Sequence, residues 1–355
     1  MRFWTRLRER IDAEQAARRG RQRLRLLSSR PTPRFRPRLE VLEDRCVPST
    51  LTVTNSGDDV NMRGTLRYDI AHAQSGDTIL ISPALQGVPI VLTHGELLLT
   101  KDVTIEGLSN HTETISGNNT SRVFEVAAGT NVTLANLAIT DGNGVADNPA
   151  GTSQDDGEGG GILNLGTLTV SGSTLSDNSA TGLFGSGGGI INFFGALTVN
   201  DSTLSGNSAG FEGGGICNAF GTVTVSGSTL SGNSATFAGG IYNGGRITVN
   251  DSALSGNSAG FEGGGIVNFS GALTVNGSIL SGNSAGLQGG GIYNVNSLGT
   301  VTVGNSTLTD NAAGSDGGGI FNDHGTVSVG DSSFSGNIPD AISGGYTDEG
   351  GNTFS

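Results

Sequence analysis

Cysteine, histidine, proline and positive charge are all scarce in this chain of 355 residues, and each shortage closes a class of function. The two cysteines, Cys46 and Cys217, stand in different segments, so no disulfide framework can be read. His72, His94, His111 and His324 are scattered and supply neither a catalytic triad nor a zinc set. With only 8 Pro and no Gly-X-Y period, the 61 Gly do not make a collagen. No stretch approaches 18 consecutive apolar residues, so no membrane-spanning helix is expected. Residues 1–46 hold 14 of the 19 Lys+Arg and 6 of the 32 Asp+Glu, which leaves 5 cations against 26 acids beyond them. Such an acidic body lacks the Lys and Arg that phosphate contacts require, so nucleic acid is not an expected partner. It also lacks the basic surface that anionic lipid attracts. Hydrophobic residues make up 34%, little for an ordinary core. Such a chain is either unstructured or buries a small, regular set of apolar side chains in each unit of a repeat.

The repeat is present in residues 157–337. A pattern close to G-G-G-I-x-N, a Gly, L-T-V, and S-x-L-S-x-N-S-A occurs with isoleucines at Ile162, Ile190, Ile216, Ile241, Ile266, Ile292 and Ile320. These are separated by 28, 26, 25, 25, 26 and 28 residues, a period that marks a solenoid. The unit has no helical periodicity. It reads as three short extended segments separated by Gly, Asn and Ser, which makes one coil of a β-helix. Period-two alternation points Leu168 and Val170 inward with Thr169 outward, and the equivalent residues of later units likewise. A second inward row is Leu175, Leu204, Leu230, Leu254, Leu280, Leu308 and Phe334, and the isoleucines form a third. About four aliphatic side chains per unit, each worth roughly 1.5–3 kcal/mol on burial, account for how so apolar-poor a chain folds. The expected fold is an all-β, right-handed, single-stranded parallel β-helix of about 9–10 rungs with a short N-terminal capping helix.

Two asparagine rows are equally regular. Asn164, Asn192, Asn218, Asn243, Asn268, Asn294 and Asn322 follow the isoleucines by two, and Asn178, Asn207, Asn233, Asn257, Asn283, Asn311 and Asn337 close the third segment. Stacked amides can donate to one neighbour and accept from the other, so these rows read as structural ladders.

The G-G-G-I…N units resemble the right-handed β-helix repeats of bacterial surface proteins, including the polymorphic outer-membrane-protein family. Arg63-Gly64-Thr65-Leu66-Arg67-Tyr68-Asp69-Ile70-Ala71, followed by Gly76-Asp77-Thr78-Ile79, resembles the S-L-R-x-A-I…G-D-T-I opening of such proteins. That likeness implies a short helix whose Leu66 and Ile70 cap the first coil. Residues 39–49, from Leu39-Glu40 to Val47-Pro48-Ser49, resemble a Leu-Glu-x-Arg leader and imply export. The named family carries a C-terminal membrane barrel, whereas this sequence reaches Ser355 soon after its last unit, so self-transport is not expected. Three regions follow: 1–48, a basic Pro-containing leader or tail, unstructured or targeting; 49–150, a cap with irregular first rungs; and 151–355, the regular repeats.

Candidate sites are few. The residue after each isoleucine should face outward, giving an apolar stripe of Leu163, Ile191, Cys217, Tyr242, Val267, Tyr293 and Phe321, either exposed or covered by loops. Phe184, Phe211, Phe237 and Phe261 form a second near-column in the preceding loop. Tyr242, Tyr293, Phe321, Phe211, Phe237 and Phe261 are therefore the candidate contacts for a polysaccharide or a cell-surface protein. Outward Thr169, Thr198, Thr224, Thr248, Thr274 and Thr302, then Ser328, resemble the hydroxyl face of ice-binding solenoids, but Thr is also the ordinary filling of an exposed strand. Acids precede alternate isoleucines by four, at Glu158, Glu212, Glu262 and Asp316, with Ser186 and Gln288 between them and Ala238 near the position in rung four. The alternation relieves like-charge stacking. A loop rich in oxygen ligands, with Asp141, Asn143, Asp147, Asp155 and Asp156, is the one candidate for Ca²⁺; no other cofactor is expected.

No catalytic residue can be named. A site like that of pectate lyase would need clustered carboxylates and a nearby Arg or Lys base. The repeats carry one cation, Arg246, whose lateral neighbours should be Thr222 and Ala272. Asp201, Asp251 and Asp331 stand rungs apart, too far for a hydrolase pair. The expected function is a secreted or cell-surface, non-catalytic scaffold. The alternative is a polysaccharide lyase or glycoside hydrolase on the same fold.

Overall fold

A computed structural model describes residues 48–108, 113–144, 157–182 and 184–355. All of them belong to the second of two units, Cys46–Ser355. The leader region ahead of residue 48 lies outside the described residues.

The chain coils into a parallel β-helix. Four sheets run along it, with 12, 10, 11 and 6 strands, and every strand pairs in parallel with its equivalent one turn away. The 11-stranded sheet counts about 11 turns, slightly more than the repeat count suggested. The 12-stranded sheet starts at Thr50–Val53 and passes from Asn131–Ala135 to Thr167–Ser171 without a break, so irregular and regular coils share one wall.

The L-T-V segments form that wall, the isoleucine segments the 10-stranded sheet, and the S-x-L-S segments the 11-stranded sheet. The fourth sheet corrects the three-sided reading of the unit. Two-residue Ser-Ala strands such as Ser208–Ala209 and Ser234–Ala235 pair from rung to rung. Too short for any alternation, they look like turn in the sequence.

Inside, the rows stack as columns. Ile190, Leu197, Val199 and Leu204 of one turn lie on Ile216, Val223, Val225 and Leu230 of the next, all buried. The single α-helix of the described residues, α1 (Leu66–His72), is capped by the Thr65 side chain, which accepts from the Tyr68 N–H. Its Leu66 is buried in the core and Ile70 packs against it, closing the first turns. Arg67 holds this cap in place. It grips Asp58 at 2.6 and 3.1 Å and donates to the carbonyls of Gly95 and Glu96.

Polar ladders occupy the corners. Asn164, Asn192, Asn218, Asn243, Asn268, Asn294 and Asn322 form one unbroken chain, each Nδ2 donating to the next Oδ1 at 2.7–2.9 Å. Asn178 through Asn337 form a second. A third, not evident in the sequence, runs through serine. The Oγ atoms of Ser202, Ser228, Ser252, Ser278, Ser306 and Ser332 each accept from the backbone N–H one rung earlier. The outward threonine column is longer than the repeats reveal. Register carries it from Thr50 through Thr78, Thr104 and Thr133 into Thr169, and on past Ser328 to Thr347.

Candidate functional site

The ten-stranded sheet has short strands, and aromatic side chains collect at both ends of them. At the leading end, the glycine triplet brings the backbone down onto the outward stripe. A Cβ on Gly159 would stand 2.9 Å from the Ile191 side chain, and one on Gly263 would collide with Val267. Only glycine permits so close a cover. Leu163, Ile191, Cys217 and Val267 are consequently buried, Tyr293 is 6% exposed, and Tyr242 and Phe321 are half-buried. The stripe is thus covered, and Tyr293 is mainly a packing residue, stacked on Phe321 at 5.5 Å.

The loop ahead of the triplet presents the other aromatics. Phe184, Phe211, Phe237 and Phe261 form a ladder across four rungs, with ring centroids 5.8, 5.4 and 5.5 Å apart. Phe184 and Phe261 are 71% and 47% exposed, and the two middle rings are half-buried. In rung four Phe237 takes the place four before the isoleucine, paired with Glu212, with Ala238 next to it. Ala238 occupies the left-handed glycine position with φ 58°.

Beneath the ladder lies a titratable cluster that sequence reasoning did not find. The Tyr242 hydroxyl donates to the Glu212 carboxylate, although the two residues belong to neighbouring rungs and different segments of the repeat. Burial, with a smaller push from Glu158, lifts the Glu212 carboxyl to about 7. Burial also raises the Tyr242 hydroxyl and the Cys217 thiol, so that cysteine is inert packing rather than a nucleophile. Further along, burial and then Asp323 raise Glu262, and burial and then Glu262 push Tyr293 up to about 12. Gln288 separates Glu262 from Asp316.

At the trailing end, the turn out of the sheet holds Phe194 and Phe220, which the sequence reading passed over. They stack at 5.4 Å, and Phe193 meets Phe194 edge-on at 4.9 Å. The pair walls a groove of about 430 Å³ with Leu165, Thr167 and Thr222 along it. Phe269, also exposed, stacks on Tyr242 at 6.0 Å. A usable signal existed. Phe194 and Phe220 each stand two after a ladder asparagine and just before a turn glycine, 26 residues apart.

For the Ca²⁺ candidate, Asp141 accepts from Ser116 at 3.0 Å, while the Asn143 amide bonds Thr181 and Asn119. Asp147, Asp155 and Asp156 lie outside the described residues. Among the described residues no group of three or more His, Cys, Asp or Glu is placed to hold a metal. Arg122 is the other notable cation. Buried at 3% exposure, it donates to Glu96 at 2.8 Å and to the carbonyls of Glu158 and Gly159. Arg246 lies between Thr222 and Ala272, and so has no acid on either lateral side. No described helix is long and apolar enough to cross a membrane.

No family model and no curated protein matches this chain. Among solved structures, a GH136 lacto-N-biosidase from Eubacterium ramulus is similar at 12% identity and TM-score 0.42, over 86% of this chain and 67% of that one.

Proposed function

We propose that this protein is a secreted or surface-displayed scaffold, without catalysis of its own, that holds a polysaccharide or a cell-surface partner along its aromatic ladder. The supporting observation is the run of Phe184, Phe211, Phe237 and Phe261, which keeps rings at a solvent edge over four rungs. Aromatic rings left in water on a rigid wall suit the apolar faces of sugars and side chains. Export rests on the leader-like residues 39–49. The test is retention of the full chain on insoluble polysaccharides and cell-wall fractions. Phe211→Ala with Phe237→Ala should cut retention at least tenfold. A wild-type chain that stays in the supernatant of every fraction would remove the proposal.

Glu212 favours a second reading, glycoside hydrolysis. A carboxyl near 7 is suited to protonating a glycosidic oxygen. Glu158 stands two rungs away, about 9.6 Å at the parallel-strand spacing and just outside the roughly 6.5–9.5 Å of inverting pairs, so the backbone spacing does not supply the pair. What favours Glu158 is that its charge reaches Glu212. In that reading Glu212 gives its proton to the leaving oxygen while Glu158 takes one from the attacking water. Release of reducing ends by the wild type, abolished by Glu212→Gln, would support it. No release from a broad polysaccharide panel would exclude it.

A further inference from the structure

The groove at the trailing end combines two features that folding alone would remove. Phe194 and Phe220 hold φ of 58° and 66°, the left-handed region that bulky side chains avoid. The other non-glycine residues found there among the described residues are Asn, Asp, His324 and Ala238. The turn of the same length takes His324 at this place in rung seven, and the turn of rung six, two residues longer, puts Asn296 at positive φ, so the geometry does not call for phenylalanine. Both rings are also turned to solvent, 57% and 50% exposed, in adjacent rungs. Strain and exposed apolar surface at one place are a signature of a binding site rather than of packing.

The groove itself specifies the occupant. Its walls are Phe194 and Phe220, and its rim carries the Thr167 and Thr222 hydroxyls and the Asn131 amide. None of its lining residues is ionisable. Its volume of about 430 Å³ lies within the range of small-molecule sites. The surrounding body carries 26 acids against 5 cations beyond residue 46, which repels polyanions. A ligand that fits has one apolar face for the rings, hydroxyls for the rim and no negative charge.

We propose that this groove binds a neutral pyranose chain, with one sugar ring laid against the Phe194–Phe220 pair. The rings are fixed beforehand, since Phe193 buttresses Phe194 and the turn backbone sets their direction, so little freedom is lost on binding. The site is separate from the Phe184–Phe261 ladder, which lies at the other end of the same strands. Acidic polysaccharide is rejected by the field of the body.

The test is calorimetric titration of the full chain with cellohexaose, xylohexaose, mannohexaose and hexagalacturonate. Sedimentation velocity runs alongside. Phe194→Asn with Phe220→Asn replaces each ring by a residue type that holds positive φ elsewhere in this fold, as at Asn296 and Asn305, and thermal unfolding checks that the fold is kept. At least one neutral hexasaccharide should bind wild type, lose tenfold or more in affinity in that double variant, and keep its affinity in Phe211→Ala with Phe237→Ala. Hexagalacturonate should not bind. The inference is overturned if no neutral hexasaccharide binds, if hexagalacturonate binds as well as the neutral chains, or if the Asn variant binds like wild type. It is also overturned if the rings serve only to pair two copies of the chain, seen as a dimer that the Asn variant dissolves without any sugar binding. Loss of binding in the ladder variant alone would leave the ladder proposal standing and remove this one.

Discussion

The side-chain amide of Asn192 donates to Asn218 at 2.9 Å, and the amide of Asn218 donates onward to Asn243 at 2.8 Å. All three are fully buried, and each amide is tied to the rungs above and below and to the backbone of its own turn. Asn218→Leu takes one of its hydrogen bonds from each neighbour, leaving the Asn192 amide with backbone carbonyls alone and the Asn243 carbonyl oxygen with the Gly245 N–H alone. At about 0.5–1.5 kcal/mol for each lost hydrogen bond, a loss of roughly 1–3 kcal/mol is expected in chemical denaturation. Asn218→Asp keeps the acceptor and removes the donor while burying a charge, and it should be at least as damaging. A loss below about 0.5 kcal/mol for both would show that the row is ornament.

The turn after the L-T-V wall alternates acid and glycine in a way that predicts its own tolerance. Asp201, Gly227, Asp251 and Gly277 follow one another up the column, all with positive φ. A Cβ on Gly227 would come within 2.5 Å of Asp201 Oδ1, and one on Gly277 would crowd Asp251 in the same way. Each carboxylate therefore leans over the glycine of the next turn. Gly227→Asp should cost about 1–2 kcal/mol, with part of the loss recovered in about 1 M salt, where like-charge repulsion is screened. Asp201→Gly should be nearly neutral. Equal stability of Gly227→Asp and wild type at low salt would refute this account.

Glu212 sets the sign of a pH dependence. Its carboxyl is held up to about 7 against an ordinary 4.5, so the folded state prefers the protonated form. The stabilisation is complete below the unfolded value and is lost as pH rises through 7. Between about pH 5 and about pH 8 the group should remove roughly 2 kcal/mol of stability. Glu262 is shifted the same way and adds to the slope. Thermal unfolding across that range should show a falling midpoint, and Glu212→Gln should flatten it. An unchanged slope in the variant would place the effect elsewhere.

The strained turn gives a stability forecast that is independent of any ligand. Left-handed backbone costs an L-residue about 1–2 kcal/mol, and asparagine less than phenylalanine. Phe194→Asn should therefore be neutral or up to about 1 kcal/mol stabilising in denaturant titrations. A clear destabilisation would mean that the ring stack itself holds the turn.

Columns that repeat in register were legible from the sequence because each member has the same partner above and below. The isoleucines, the L-T-V wall and both asparagine rows are of this kind. Contacts that join unlike positions were not. Glu212 meets Tyr242 only because the glycine triplet lets one loop fold over the next rung's strand, and no spacing announces that. The Ser-Ala strands have two residues each, below the length at which a period exists. Phe194 and Phe220 carried a positional signal, but aromatic identity alone does not say that a backbone is in the left-handed region.

The amide rows all point the same way, from Asn164 toward Asn322, where the last amide donates to backbone carbonyls at Gly325 and Gly345. The rod therefore has a head and a tail at every level, and each interior unit offers its successor the same socket it occupies itself. Excising one whole unit would bring matching surfaces together, whereas excising part of one would set every amide opposite a stranger. Such a molecule can change its length during descent by duplication or loss of entire units without relearning how to fold.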